Sequence, residues 1–416
     1  MGKNKRREFL KNSLAGICGA AVVPGAWKAL SPRAASSSSS APSSGAAPTV
    51  AIPSLPSRPL GKTGLTTPIL SMGTSGATSP DFIRQGYDAG IKLFFSATYY
   101  GRGNNERLVG QALKGLPRDS FVVGTAATPD GLNPLAGTLP KDMKAETYMK
   151  TAEDSLKRFG LDHIDILLMP FAAKREFIIF DPIMEAMTAL KKQGKIRFAG
   201  IATHGSCDVA LRAAADAKVY DVAMTAYNYK TANKAVMDGA LAYAAKAGLG
   251  IVAMKTTAGG ASDKSRTQPF NSNAALKWVL QNKTVSSIVS GMSSVEELRK
   301  NLEMIKDLKM SEQELLDIKL AELRPDLDVY CQQCRKCVPQ CAANLDIPTL
   351  MRSYMYAYGY RDAVQARHTL DSVGMTGDPC AKCDVCSVAC ASGFDVKTRV
   401  LDIVRLKDVP LEFLRG

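Results

Sequence analysis

Eight of the ten cysteines fall near the C-terminus in two runs of identical spacing: Cys331, Cys334, Cys337 and Cys341, then Cys380, Cys383, Cys386 and Cys390. Each run reads Cys-x2-Cys-x2-Cys-x3-Cys, the ligand spacing of bacterial-type 4Fe–4S proteins. Three thiolates at this pitch wrap three corners of one cubane, and the fourth ligates the other cluster. The reading is therefore two 4Fe–4S clusters with crossed ligation. Cys331, Cys334, Cys337 and Cys390 hold the first; Cys380, Cys383, Cys386 and Cys341 hold the second. Zinc is the competing reading. A structural zinc takes four ligands in two separated pairs, whereas each run here already holds four and is then repeated. Disulfides fit less well still, because the spacing is a metal pattern. Ala342 and Ala391 stand where the common run has Pro, a departure that touches the local turn and leaves the ligands intact. Two clusters in one small domain make an electron path, which limits what the rest of the chain can be for.

The other end of the chain carries Lys5-Arg6-Arg7-Glu8-Phe9-Leu10-Lys11, then a short, weakly apolar stretch from 13 to 26 and small residues at Ala34-Ala35. A charged start, a short apolar segment and small residues read as a signal peptide over 1–35, too short for a membrane span. The twin arginines followed by Phe-Leu-Lys resemble the Tat export signal, so a periplasmic or extracytoplasmic location is expected. That route carries folded proteins, which suits a chain whose clusters are inserted before export. Membrane attachment would follow only from an uncleaved signal. Cys18 is disfavoured as a lipidation site, because Ile17 precedes it where a small residue is needed. Residues 36–57, with Ser36 to Ser40 in one run, read as a flexible linker.

The formal charge of +14 is the pattern of a nucleic-acid binder only at first sight. Seven Lys and Arg against Glu8 lie within residues 1–35, so +6 leaves with the signal. Two clusters with their thiolates remove roughly four more. No basic patch interleaved with aromatics stands out, and nucleic-acid binding is not expected. A mild basic surface could steer an acidic electron-transfer partner.

Between 58 and 308, short apolar runs alternate with amphipathic helical stretches. Strands are expected at 68–72, 91–97, 121–125, 164–169, 196–201, 222–226, 250–254 and 285–289. Helical patterns separate them, among them 145–159, 182–193, 233–247 and 294–308. Eight such units in about 250 residues fit an α/β fold of the (β/α)8 TIM-barrel type. A doubly wound sheet shares the periodicity, but no GxGxxG turn follows the first strand. The domain plan is thus a signal (1–35), a linker (36–57), a barrel (58–308) and a cluster-binding domain (309–416).

Four motifs then become recognisable: Arg58-Pro59-Leu60-Gly61-Lys62-Thr63-Gly64-Leu65, Tyr100-Gly101-Arg102-Gly103-Asn104-Asn105-Glu106, the run from Ser155 to Asp165, and Gly194-Lys195-Ile196-Arg197. Together they resemble the aldo-keto reductase superfamily over about 58–308. The 38 residues between the cysteine runs resemble the helical dicluster ferredoxin type, and barrel plus tail resembles the iron–sulfur branch of that superfamily. The resemblance implies hydride transfer from NADPH to a carbonyl, with a Tyr as proton donor, an Asp-held Lys tuning it and a His polarising the carbonyl. The Tyr position falls on Tyr100. The Asp, Lys and His positions fall on Phe95, Ala126 and Pro170. A free Tyr has a pKa near about 10 and needs a neighbouring cation to work as a general acid near neutrality. Ordinary carbonyl reduction is therefore not expected. His204 and Lys255, at the C-terminal ends of their strands, could stand in; a polar rim role is the plainer reading of each. Cys207, at a helix start, reads as a buried structural thiol rather than a reactive one.

The implied NADP(H) site is also altered. The carboxamide positions read Ala202-Thr203 and Met224, while Tyr227 keeps the stacking position and Ser290, Gly291, Ser293, Glu297 and Asn301 keep part of the phosphate and adenine side. Three functions follow. The first is an exported iron–sulfur oxidoreductase or electron-transfer protein with a remodelled barrel, serving a redox partner protein or a small-molecule substrate. The second is an NAD(P)H-dependent enzyme reducing a small carbonyl or related substrate. The third is a binding module with structural clusters.

Overall fold

The computed structural model describes residues 54–133, 138–260, 270–323, 329–375, 377–381 and 383–414. The expected export signal and most of the expected linker lie outside them. Two short strands come first, β1 (Ser57–Pro59) and β2 (Thr66–Pro68), paired antiparallel. In their turn the Thr63 hydroxyl donates to the Leu60 carbonyl at 2.6 Å and accepts from the Leu65 amide at 3.1 Å. Leu60 is buried among the side chains that fill the barrel interior, so the hairpin plugs the barrel floor. Gly61 has φ 56°, and a Cβ there would stand 2.3 Å from the Gly250 nitrogen. Glycine alone lets the turn lie this close to the foot of a barrel strand.

Eight parallel strands then close a barrel: β3 (Leu70–Gly73), β4 (Leu93–Ala97), β5 (Val122–Ala126), β6 (Ile164–Met169), β7 (Ile196–Thr203), β8 (Val222–Ala226), β9 (Gly250–Met254) and β10 (Val285–Gly291), with β10 pairing back onto β3. The expected strand at 68–72 divides between β2 and β3. Pro68 has no N–H to give the parallel ladder, so its register belongs to the floor hairpin instead. Around the barrel lie α1 (Pro80–Asp88), α2 (Asn104–Leu113), α3 (Ala145–Phe159), the single turn α4 (Arg175–Ile178), α5 (Asp181–Lys192), α6 (Cys207–Ala217), α7 (Lys234–Ala247), α8 (Ser272–Gln281) and α9 (Val295–Met304). The strands are buried on both faces because they fill the interior on one side and pack the helix layer on the other.

Motif residues turn out to be joints. Asn105, at the start of α2, donates to the Thr74 carbonyl at 2.6 Å and accepts from the Thr74 and Ser96 hydroxyls at 2.6 and 2.7 Å. Glu106 is fully buried, accepts from Thr125 and pairs with Arg158 of α3. Asp165 takes Arg118, Arg197 and the Val123 amide at the floor, beside His163. Buried charges survive only when paired in this way.

Helix α10 (Glu312–Glu322) opens with a capping box, Ser311 with Glu314, and packs on α8. The C-terminal region follows with α11 (Ile347–Tyr354), a π-helical turn (Met355–Gly359), α12 (Ala363–Asp371) and α13 (Val396–Val404). The cysteine repeat extends further than the cysteines. Cys341-Ala-Ala-Asn-Leu-Asp-Ile347 and Cys390-Ala-Ser-Gly-Phe-Asp-Val396 lead into α11 and α13 alike. Asn344 and Gly393 both turn left-handed, at φ 50° and 75°. Thr349 and Thr398 each donate to the Asp at the preceding helix start, Asp346 and Asp395, at 2.7 Å. The two helices so launched pack together, giving the cluster loops a doubled scaffold.

Candidate active site

The C-terminal region sits on the barrel mouth. A Cβ on Gly359 would stand 2.3 Å from the Gly259 carbonyl, so the loop after β9 and the π-helical turn meet backbone to backbone. Gln332 donates to the Lys230 carbonyl at 2.6 Å, and Tyr229, Ala258, Ala274 and Ala275 of the barrel share an apolar cluster with α11, α12 and α13. Between mouth and cap lies a cavity of about 150 Å3. Tyr99, Phe171 and His204 line it from the barrel, and Arg352, Tyr356 and His368 from the cap.

The barrel wall is aromatic. Tyr99 meets Tyr100 edge to face at 5.0 Å and Phe171 at 5.4 Å. Sequence reasoning singled out Tyr100, but Tyr99 is the one that lines the cavity. Burial, followed by Tyr356, raises the Tyr100 hydroxyl above its ordinary value. Phe171 is left-handed at φ 59°, a conformation costly for a non-glycine residue and common where function fixes a side chain. Phe95 and Ala126 belong to the apolar barrel interior.

His204 follows the last residue of β7. Burial, then Arg352 and Lys255, hold it well below the ordinary imidazole value, so it is neutral. Its Nδ1 is buried and has no partner among the described residues. Lys255 follows β9 in a left-handed turn at φ 57°, with its carbonyl held by Asn228 at 2.9 Å. Its Nζ donates to the Tyr356 hydroxyl at 2.6 Å and stands 4.3 Å from the ring centre. Burial, as the largest cause, brings Lys255 down from 10.5 to about 8, and burial raises Tyr356 to about 12. The hydroxyl of Tyr356 accepts from Lys255 and keeps its own proton to give. Tyr356 had no signal in the sequence, because its partner is 101 positions away.

Arg352 completes the cap side. It reaches Gln333 at 3.5 Å and Thr349 at 3.2 Å. His204 and Arg352 also line a smaller space beside the cavity, closed by Lys255, Tyr330, Cys331, Gln333 and Met355. A cysteine of the first run is thus one wall away from the cavity.

The eight thiols form two sets. Burial pushes Cys331 up to about 12, with Cys337, Cys390 and Cys334 adding to it, and pushes Cys337 up to about 11, with Cys334 and Cys390 adding. Cys380 is raised by burial, then by Asp378, Cys383, Cys386 and Cys341. Gln340, the neighbour of Cys341, is tied to the second run through Ser387 at 2.7 Å and the Ala389 amide at 2.8 Å. Amides point at sulfur in both loops: Gln333 to Cys331 and Ser392 to Cys390, each at 3.4 Å. Such bonds favour thiolate, the form that ligates iron. Among the described residues no three His, Cys, Asp or Glu converge as ligands of a single ion would; the thiolates of a cubane each bind a different iron.

The nicotinamide positions are placed differently from expectation. Tyr227 turns outward to the helix layer: it is buried, packs on Trp278 at 5.3 Å and donates to Asp238 at 2.6 Å. It therefore presents no face to the mouth, because its hydroxyl is anchored between α7 and α8. Ser290, Gly291, Ser293, Glu297 and Asn301 are brought together where β10 meets α9, but they bond to one another. Glu297 takes the Ser293 amide at 2.8 Å and hydroxyl at 2.9 Å, and Asn301 donates to Ser290 at 3.1 Å. A carboxylate of the chain thus occupies an amide that a phosphate would need. Cys207 is raised by burial, as a structural thiol is.

Residues 70–274 match the aldo/keto reductase family, and residues 330–395 match a 4Fe-4S dicluster domain. The chain is 28% identical to L-galactose dehydrogenase of Arabidopsis thaliana over 298 residues, 61% of this chain and 88% of that protein. It is 34% identical to the NADH-specific methylglyoxal reductase of Escherichia coli strain K12 over 167 residues, 35% of this chain and 51% of that protein. An aldo-keto reductase of Bacillus halodurans, solved in its holo form, shares the fold with a TM-score of 0.52 and 20% identity over 64% of this chain and 96% of that one. The chain therefore joins an aldo/keto reductase barrel to a C-terminal 4Fe-4S dicluster domain.

Proposed function

We propose that the protein is an exported iron–sulfur oxidoreductase acting on a small molecule bound between the barrel mouth and the dicluster domain, with a barrel that has left nicotinamide-dependent carbonyl reduction. The observation that carries this reading is the shared wall: His204 and Arg352 line both the cavity and the space that Cys331 closes. Two clusters, one on Cys331, Cys334, Cys337 and Cys390 and one on Cys380, Cys383, Cys386 and Cys341, would supply one-electron transfer beside that cavity. The chain supplies the rest. Tyr356, backed by Lys255, holds a proton at the cavity wall, a task the barrel cannot perform with Phe95, Ala126 and Pro170 at the altered positions. The second cysteine run is more open, with Val385 85% exposed, and offers the approach for a redox partner protein.

The nicotinamide-dependent reading draws on relatives named as reductases and dehydrogenases. An anaerobic titration separates it from ours. Dithionite should bleach the visible cluster absorbance of the purified protein, while NADPH should leave it unchanged. Bleaching by NADPH would reinstate hydride entry through the barrel, and clusters that resist dithionite would favour a structural role for them.

Export rests on the twin arginines. Replacing both, Arg6→Lys with Arg7→Lys, should leave the protein in the cytoplasmic fraction of its host. Unchanged export by the double variant would remove the Tat assignment.

A further inference from the structure

The proposed reading leaves the chemical class of the small molecule open, and the cavity narrows it. Two cations face it or back it, Arg352 and Lys255, and neither forms an ion pair among the described residues. The carboxylate that acts on Lys255 is Asp362. That carboxylate is spent on capping α12, accepting from the Gln365 amide at 2.8 Å. His368 also faces this end of the cavity and acts on Asp362. Among the described side chains the enclosed site sets two cations against one engaged carboxylate, with the cluster thiolate Cys331 behind the wall that Arg352 and Lys255 share. Desolvated charge of this kind is costly unless something compensates it.

The remaining donors converge on the same place. Tyr356 accepts from Lys255 and so directs its own O–H elsewhere, and it lines the cavity. The buried Nδ1 of His204 has no partner among the described residues. Arg352 spends its guanidinium on long contacts at 3.2 and 3.5 Å, which leave the fork geometry free. A guanidinium fork matches a carboxylate edge to edge. The flat side chains of Tyr99 and Phe171 line the same cavity, with the Arg352 guanidinium carbon 5.8 Å from the Phe171 ring centre. The volume admits on the order of ten water-sized groups, too few for a dinucleotide.

We propose that the cavity binds a small planar organic acid, its carboxylate on Arg352, Tyr356 and His204 and its flat body against Tyr99 and Phe171. The assignment rests on the oxidoreductase reading for its purpose, but its binding test does not require turnover.

Benzoate is the probe, with benzamide as its neutral match and inorganic phosphate as the competing oxyanion. Full-length protein with its clusters loaded is titrated calorimetrically with each. Benzoate should bind, and benzamide and phosphate should bind at least about tenfold more weakly. Arg352→Gln should weaken benzoate by a similar factor, and Arg352→Lys, which keeps the charge and loses the fork, should fall between. An unchanged visible spectrum in both variants certifies that they are folded and loaded. Equal binding of benzamide, equal binding of phosphate, or full benzoate affinity in a spectrally intact Arg352→Gln protein would each overturn the assignment. Absence of an iron chromophore from the wild type would sink the oxidoreductase reading instead, whatever the calorimetry gives.

Discussion

Cys331→Ala and Cys390→Ala should lose the same cluster, although the two residues lie in different runs. Each variant should fall from about eight to about four irons per chain, and the cluster that remains should give the same paramagnetic signal in both. Cys341→Ala and Cys380→Ala should leave the other cluster, with a second, distinct signal. The crossing follows from which thiols act on which: Cys390 is felt by Cys331 and Cys337, and Cys341 by Cys380. The Gln340 side chain and carbonyl reach across to Ser387 and Ala389, which carries Cys341 to the second run. If each run instead held its own cluster, Cys331→Ala would share its residual signal with Cys341→Ala. Iron analysis with low-temperature resonance of the reduced variants distinguishes the two patterns. The Cys207→Ala variant is the control, since that thiol sits partly buried at the start of α6, packed on the barrel core, and its loss should leave iron unchanged.

How much of this was legible in the sequence depends on the range of the interaction. Strands such as Ile164–Met169, Val222–Ala226 and Gly250–Met254 were readable to the residue, because a parallel barrel strand is buried on both faces and shows as an unbroken apolar run. The cysteine spacing was equally local. The extension of the repeat through Asp346 and Asp395 was also present in the sequence; its signal was an Asp at a helix start followed three residues later by Thr, five and eight residues beyond the last cysteine of each run. Tyr227 misled because a matching family position fixes where a residue stands after a strand but not which way its ring then turns; Asp238 and Asn282 decide that. The largest gap was the cap. Arg352 and Tyr356 belong to the mouth only because a separate domain folds over it, and no local pattern announces a contact between positions as far apart as 255 and 356.

That cap also changes what the altered barrel positions mean. With Phe95 and Ala126 in the apolar interior, the barrel alone offers a hydrophobic floor and an aromatic wall. The charged and proton-bearing groups come from the junction: Lys255 from one side, Arg352 and Tyr356 from the other. On the proposed reading the chemistry lies at the seam between the barrel and the dicluster domain, where an electron source and a bound molecule can be neighbours.

Lys255→Met should therefore make the protein more stable at neutral pH. A lysine in the unfolded chain titrates near 10.4, whereas burial brings Lys255 to about 8 in the folded protein. Between those values the unfolded chain holds a proton that the folded protein does not, so wild-type stability rises with pH across that interval and the full penalty is present below about 8. The depression corresponds to roughly 3 kcal/mol. Methionine has a similar length and carries no charge, so it removes this penalty. The lost bond to Tyr356 and the lost ring contact offset part of the gain, leaving a net stabilisation on the order of 2 kcal/mol near pH 7. Above about 10.5 the advantage should disappear. Trp278, packed between the barrel helices beside Tyr227, reports unfolding of the barrel by fluorescence, and wild type and variant are compared in denaturant at pH 7, 9 and 10.5. A variant less stable than wild type at pH 7 would make Lys255 a structural residue. A variant more stable there, with a flat pH dependence, would mean that the seam tolerates an expensive cation which folding alone would replace, as sites that must hold an anion and pass a proton do.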